Sequence, residues 1–203
     1  MSLIEHILRL IAPNECLNCG AEDNLLCNQC AGALPAAVIR EKYKGIDTVW
    51  AVTRYEGVAK TLVHMLKFER AAAAADDIAR AMARQLPAGQ WIVTSVPTAV
   101  ERVRQRGYDQ SRLIARALAT QNNLLYLPLL ARVSSTRQVG ATRAVRKEQM
   151  YDAFRPLRHQ TMEGAPILLV DDVLTTGGTV EAAAAVLRAN GARSVSAAVF
   201  AAA

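Results

Sequence analysis

Nothing in this chain constrains its fold more than the run Ile167-Leu168-Leu169-Val170-Asp171-Asp172-Val173-Leu174-Thr175-Thr176-Gly177-Gly178-Thr179. Four apolar residues in a row predict a strand buried on both faces. Two adjacent carboxylates follow where that strand is expected to leave the sheet. A small, hydroxyl-rich turn with two glycines comes next, and Val180 to Asn190 reads as a helix. Such a turn brings free backbone N–H groups and the positive end of a helix dipole to one point, which is a phosphate-binding geometry. Gly177 and Gly178 let the backbone close around an anion, and Thr175, Thr176 and Thr179 add hydroxyl donors. Asp171 and Asp172 cannot hold the phosphate, since like charges repel. They suit neutral hydroxyls or a divalent metal close by. A ligand with a phosphate at one end and a diol or metal in the middle describes a phosphorylated ribose. Chance acids at a strand end before a helix are the bland alternative. A nucleotide-hydrolase strand is another, but that needs a G-x-x-x-x-G-K-[ST] loop, and the chain has no Gly-Lys dipeptide.

The segment resembles the phosphoribosyl pyrophosphate loop of type I phosphoribosyltransferases. The resemblance implies that Asp171 and Asp172 hold the ribose 2′ and 3′ hydroxyls and do the catalytic positioning. It implies that Val173, Leu174, Thr175, Thr176, Gly177, Gly178 and Thr179 form the ligand loop, with the 5′-phosphate on Thr175 to Thr179.

A second pattern stands at the other end. Cys16-Leu17-Asn18-Cys19 is followed after seven residues by Cys27-Asn28-Gln29-Cys30, and these are all four cysteines of the protein. Two C-x-x-C pairs can set four thiolates tetrahedrally around Zn²⁺, and a complete shell leaves no open position, so the role is structural. The short gap implies a minimal knuckle. A pair of disulfides or a redox couple would use the same residues. Disulfides need an oxidising compartment, and nothing in the sequence points to secretion.

A chain of 203 residues can hold one core domain and a small appendage. No apolar run approaches the ~20 residues needed to span a bilayer. Met1 to Pro13 carries Glu5, His6 and Arg9 within an apolar pattern of helical spacing, unlike a signal peptide. The expected location is the cytoplasm. Charge is unevenly spread. Glu101 to Arg116 has five arginines against two acids, and Arg132 to Arg158 has seven basic residues against two acids, so these windows hold +8 while the whole chain is +6. Clustering of this kind predicts an anionic partner.

Strand-like patterns cover Thr48 to Tyr55, Trp91 to Val96 (ended by Pro97), Leu124 to Leu130, and Ser194 to Phe200. Helical patterns cover Val58 to Phe68, Ala71 to Leu86 and Gly107 to Thr120, while Ala131 to His159 is polar, basic and weakly periodic. Alternating strands and helices predict an α/β fold with a doubly wound, mostly parallel sheet. Ligands of such sheets lie at the carboxyl ends of strands, where both Pro97-Thr98 and Asp171-Asp172 fall.

Further segments sharpen the resemblance. Ser95-Val96-Pro97-Thr98, then Arg102 to Arg106, then Gly107-Tyr108-Asp109-Gln110 resemble the ComF competence family, a GntX-like and amidophosphoribosyltransferase-like group. That family has a four-cysteine knuckle, a "VP" strand end, an "RGFNQ" helix start and a terminal phosphoribosyl motif. Leu66-Lys67-Phe68 matches its "LKF/Y" element, and Arg132 through Thr136, Gln138 and Arg146 to Ala153-Phe154 resembles its basic segment. Asp109 stands where the family has Asn, Ala141 where it has Leu, and Gln149 where it has Asn.

The resemblance implies a zinc module in residues 1–45 and a phosphoribosyltransferase-like domain in residues 46–203. Phosphoribosyl pyrophosphate with Mg²⁺ is the implied ligand, with pyrophosphate beside Pro97 and Thr98 and the Arg132 to Arg158 stretch closing over it. The implied role is in natural transformation, with single-stranded DNA bound through Arg102, Arg104, Arg106, Arg143 and Arg146, and with a DNA-uptake helicase or processing proteins as partners. A working transferase of nucleotide salvage and a non-catalytic regulator that senses the same ligand are the alternatives. Few aromatic residues are on hand for stacking, so DNA contact is expected to be mainly electrostatic.

Overall fold

A computed structural model describes residues 14–39, 42–68, 71–133, 153–157 and 162–203. Arg143, Arg146 and most of the basic Arg132 to Arg158 stretch lie outside the described residues, as does the expected helix of Met1 to Pro13. In chain order the elements are α1 (Asn28–Gly32), β1 (Val49–Arg54), α2 (Gly57–Phe68), α3 (Ala71–Ala83), β2 (Ile92–Ser95), α4 (Val100–Arg106), α5 (Gln110–Gln121), β3 (Leu125–Tyr126), β4 (Leu130–Arg132), β5 (Phe154–Pro156), β6 (Pro166–Leu174), α6 (Gly178–Ala189) and β7 (Ser194–Ala202).

Five strands form one sheet in the order β1-β7-β6-β2-β3, with every pairing parallel. The central place of β6 follows from its sequence. Side chains alternate across a strand, so an unbroken apolar run needs cover on both faces. Leu168 and Val170 enter one core with Leu62 of α2, Ile78 of α3 and Ile114 of α5. Ile167 and Leu169 enter the other with Ala183 and Leu187 of α6, Leu130 of β4 and Phe154 of β5. The doubly wound parallel expectation is met.

Three boundaries differ from the sequence expectation, each for a local reason. The single strand expected over Leu124 to Leu130 is two. β3 ends at Tyr126, Pro128 offers no N–H to a ladder, and β4 pairs antiparallel with β5 in a separate two-stranded sheet. The arginine-rich segment before Gly107 is a helix of its own, α4, ended by Gly107 in the left-handed region (φ 83°), and α5 starts only after Asp109 caps it. Finally, β6 does not end before its acids. Its pairing with β2 stops at Ser95↔Val170, but its pairing with β7 runs on to Leu174↔Ala202. Pro97 follows close behind on the β2 side, and the last bond there is Val96 N–H to Val170 O at 2.9 Å. Asp171 and Asp172 therefore sit in a strand that has kept one neighbour and lost the other. That missing neighbour opens a cleft.

The cysteine segment packs against α3. Leu25 and Leu26, 2% and 1% exposed, join the core around α2, α3 and α5. Asp77 of α3 is buried and accepts from Leu26 N (2.9 Å), while Arg80 donates to Asp77 Oδ1 (2.6 Å), Asn24 Oδ1 (2.9 Å) and Leu26 O (3.1 Å). The chain then runs along the outer edge of β1, bridging Ala36 to Thr53.

Candidate functional site

At the carboxyl edge of the sheet lies a cleft of about 780 Å³ bordered by Lys67, Pro97, Thr98, Arg132, Asp171, Asp172, Thr175 and Thr179. Strand ends of a doubly wound sheet are where such a cleft is expected.

The two acids are held differently. Asp171 Oδ1 accepts from Ser111 Oγ (2.7 Å) and from the Asp172 N–H (2.9 Å). Burial, together with the neighbouring charge of Asp172, pushes the Asp171 carboxyl up to about 8, against the pull of Ser111, the Asp172 amide and Lys67. Asp172 is buried and its Oδ2 stands 2.9 Å from Lys67 Nζ. That oxygen has no aligned hydrogen-bond donor, so the contact with Lys67 is ionic in character. Lys67 arrives from the last turn of α2. A ribose hydroxyl is a donor that a carboxylate in this state can still accept.

The turn after β6 has the form expected of an anion site. Thr175 and Thr176 are exposed, Thr179 is half-buried, and α6 starts at Gly178. Its N-cap is Gly177, with φ 76° and no side-chain cap bond, so the first amides of α6 have no side-chain acceptor from the cap. Gly177 meets a second demand that the sequence does not reveal. The Tyr43 ring lies against it, and a Cβ there would overlap the ring. The next residue, Lys44, donates its N–H to Glu181 Oε1 of α6 (2.7 Å). The segment leading from the cysteines into β1 thus braces the phosphate-type turn from behind.

Across the cleft, Thr98 donates both its N–H (3.0 Å) and its hydroxyl (2.9 Å) to Asp109, which also caps α5 through the Arg112 N–H (3.2 Å). Both donors of Thr98 are therefore committed within the protein, and Pro97 has none. Two cations line this corner, Arg102 of α4 and Arg132 of β4. Arg132 Nη1 donates to Pro97 O (3.3 Å), and its guanidinium lies 5.2 Å from the Phe154 ring centroid. Burial, then the charge of Arg102, holds the Arg132 guanidinium below its usual range, while Asp171, Glu101 and Asp109 pull the other way. Arg102 and Arg104 are exposed on α4, and Arg106 is half-buried.

Sequence reasoning did not assign roles to Lys67, Ser111 or Tyr43. Lys67 carried a signal, since it is the middle residue of a recognised element. Ser111 and Tyr43 carried none, because each meets its target only through the fold.

At the cysteines, all four Sγ atoms lie within 4.8 Å of one another, and none is disulfide-bonded. A metal–sulfur distance of about 2.3 Å sets the sulfurs of a tetrahedron about 3.8 Å apart. Cys19 Sγ and Cys27 Sγ stand 3.8 Å apart. Amides point at the sulfurs, with Asn18 Nδ2 to Cys30 Sγ at 3.3 Å and Cys27 N to Cys16 Sγ at 3.5 Å. Burial pushes the Cys16 thiol up, but backbone donors from Cys27, Asn18 and Cys19 outweigh it and bring it down to about 6. Asn18 draws the Cys30 thiol down, yet burial and the three other thiols push it up to about 12. Four crowded sulfurs do not ionise together without a cation among them. The donor set fits a metal such as zinc.

Residues 75–203 match the phosphoribosyl transferase domain family. A "DNA utilization protein YhgH" of Salmonella typhi is 34% identical over 186 residues, covering 84% of this chain and 81% of that protein. The protein of the same name from Escherichia coli K12 is 29% identical over 199 residues, covering 89% and 85%. A "Competence protein ComFC" of Bacillus subtilis is 28% identical over 147 residues, covering 70% of this chain and 58% of that one. With a paired-acid strand end, an uncapped Thr/Gly turn and four clustered cysteines already in place, the chain belongs to the phosphoribosyl transferase domain family, among its DNA utilization and competence members of ComF type.

Proposed function

We propose that the cleft binds phosphoribosyl pyrophosphate and that the protein handles single-stranded DNA during uptake, on the cytoplasmic side of the membrane. The observation that carries the first half is the meeting, in one cleft, of two acids, an anion-type helix start and a cation. In this reading Thr175 to Thr179 take the 5′-phosphate, with Val173 and Leu174 carrying the chain to them. Asp171 and Asp172 take the ribose hydroxyls, and Arg132 faces the pyrophosphate beside Pro97 and Thr98. Mg²⁺ enters with the pyrophosphate, whose oxygens are the hard ligands it prefers. The second half is supported by the names of the relatives and by the exposed Arg102 and Arg104 of α4. Residues 1–45 then act as a zinc-held module and residues 46–203 as the ligand-binding domain, with DNA-uptake helicase or processing proteins as partners.

The test is titration calorimetry with phosphoribosyl pyrophosphate and Mg²⁺, on the parent and on the Asp171→Ala/Asp172→Ala variant, followed by competition with single-stranded DNA. The parent binds, the double variant folds but does not bind, and DNA affinity falls steeply with salt. Equal binding by the double variant refutes the ligand assignment. Base-dependent pyrophosphate release with no DNA complex at low salt assigns the protein to nucleotide salvage instead.

A further inference from the structure

Phe68 closes α2 with 57% of its surface exposed, and it is the one exposed Phe, Trp or Tyr among the described residues. A single exposed apolar side chain is ordinary on a protein surface, so the contacts around this ring carry the argument. The ring is not loose. The Arg106 guanidinium lies 5.0 Å from its centroid, and the His64 ring packs 4.8 Å away at 43°. Arg106 is fixed in turn, because its Nη1 donates to Gln110 Oε1 (3.0 Å) while its Nε is buried without a partner. Tyr108 ties the same corner down by donating its hydroxyl to Leu66 O (2.9 Å).

The position matters as much as the ring. The preceding residue, Lys67, reaches into the cleft to Asp172, and Gln110 lines the same cleft. Phe68 therefore stands beside the cleft, outside its lining. The exposed Arg102 and Arg104 lie on the helix that carries Arg106. An exposed aromatic ring, a guanidinium against it and Arg102, one turn before Arg106 on the same helix, make a surface on which a base stacks while its phosphates meet arginines.

Resting on the reading that the protein binds single-stranded DNA, we infer that Phe68, braced by Arg106, is a stacking platform for one base of the strand beside the cleft. DNA binding is then not purely electrostatic, and it has a fixed point beside the phosphoribosyl site.

The test compares a labelled oligothymidylate of about twenty nucleotides with an abasic strand of the same length and backbone, by fluorescence anisotropy, on the parent, Phe68→Ala and Phe68→Trp. One stacked base is worth about 1–3 kcal/mol, so Phe68→Ala weakens the thymidylate roughly 5- to 150-fold and leaves the abasic strand and the salt slope unchanged. In Phe68→Trp, thymidylate quenches the new indole emission and the abasic strand does not. Both variants keep the fold because the side chain is mostly in solvent. Parent-like thymidylate binding by Phe68→Ala, or equal weakening of both strands, overturns the platform and leaves the DNA reading standing. Failure of the parent to bind either strand at low salt overturns the DNA reading and the platform with it.

Discussion

Asp171 is expected to lower the stability of the empty protein, by an amount that depends on pH. Its carboxyl ionises near 3.8 in an unfolded chain and is pushed up to about 8 in the fold, first by burial and then by Asp172. Between those values the native state holds a proton that the unfolded state has lost. Stability from this group is complete below about pH 4 and drains away as pH rises towards 8. Each pH unit in that window is worth about 1.4 kcal/mol, so the full effect from pH 5 to pH 7 is about 2.7 kcal/mol. The carboxyl borders an open cleft, and solvent screening reduces this to about 1–2 kcal/mol.

Asp171→Asn isolates the effect. The Asn oxygen can still accept from Ser111 Oγ and from the Asp172 N–H, which are both on Oδ1, while the titration is gone. Between pH 5 and pH 7 the variant's margin over the parent should grow by about 1–2 kcal/mol, or about 3–6 °C in melting temperature for a chain of this size. Below about pH 4 the two should converge. Urea denaturation followed by circular dichroism at pH 5, 6, 7 and 8 reads this directly as the difference between two curves. A difference that shrinks with rising pH, or an Asn variant less stable at pH 7, refutes the reasoning. Ligand binding should be lost in the same variant that gains stability, which is what a site held against its own electrostatics predicts.

Metal analysis of the purified protein should find one zinc per chain, and chelation should expose all four thiols to alkylation under native conditions; no zinc, or ready alkylation before chelation, removes the knuckle assignment. Gly177→Ala should cost about 2–4 kcal/mol, from the left-handed backbone and from the Tyr43 ring together, and should abolish binding of the phosphorylated ligand. Adding Tyr43→Ala should recover the overlap part of that loss in a double-mutant cycle, and no recovery means the ring does not press on the turn. Asp77→Ala leaves Leu26 N and Arg80 short of an acceptor in a buried place and should cost about 3 kcal/mol in a urea melt, with zinc binding weakened.

What the sequence disclosed and what it withheld divide along a physical line. Ile167 to Val170 declared a strand covered on both faces, because only a central parallel strand can bury an unbroken apolar run. The glycines after Thr176 declared a turn, and the cysteine spacing declared a cluster, because each is local covalent geometry. The strand and helix limits slipped where local rules compete. Pro128 divides one apolar run between two sheets, and the helix expected from Gly107 starts only at Gln110, after a separate helix, α4, that Gly107 ends. Contacts made only by the fold were silent: Ser111 on Asp171, Tyr43 on Gly177, Arg132 on Pro97. They share a direction, since each reaches the strand ends from a different element and fixes a group that sequence alone could name. The acids lie beside an empty ladder position because β2 stops at a proline while β7 carries on. Ser111 and Lys67 then settle which oxygen of each acid is engaged inside the protein. That division of labour explains why a short motif marks the site so clearly and yet tells little about its electrostatics. The motif supplies the ligand-facing atoms, and residues far away in the chain set the charge those atoms bear.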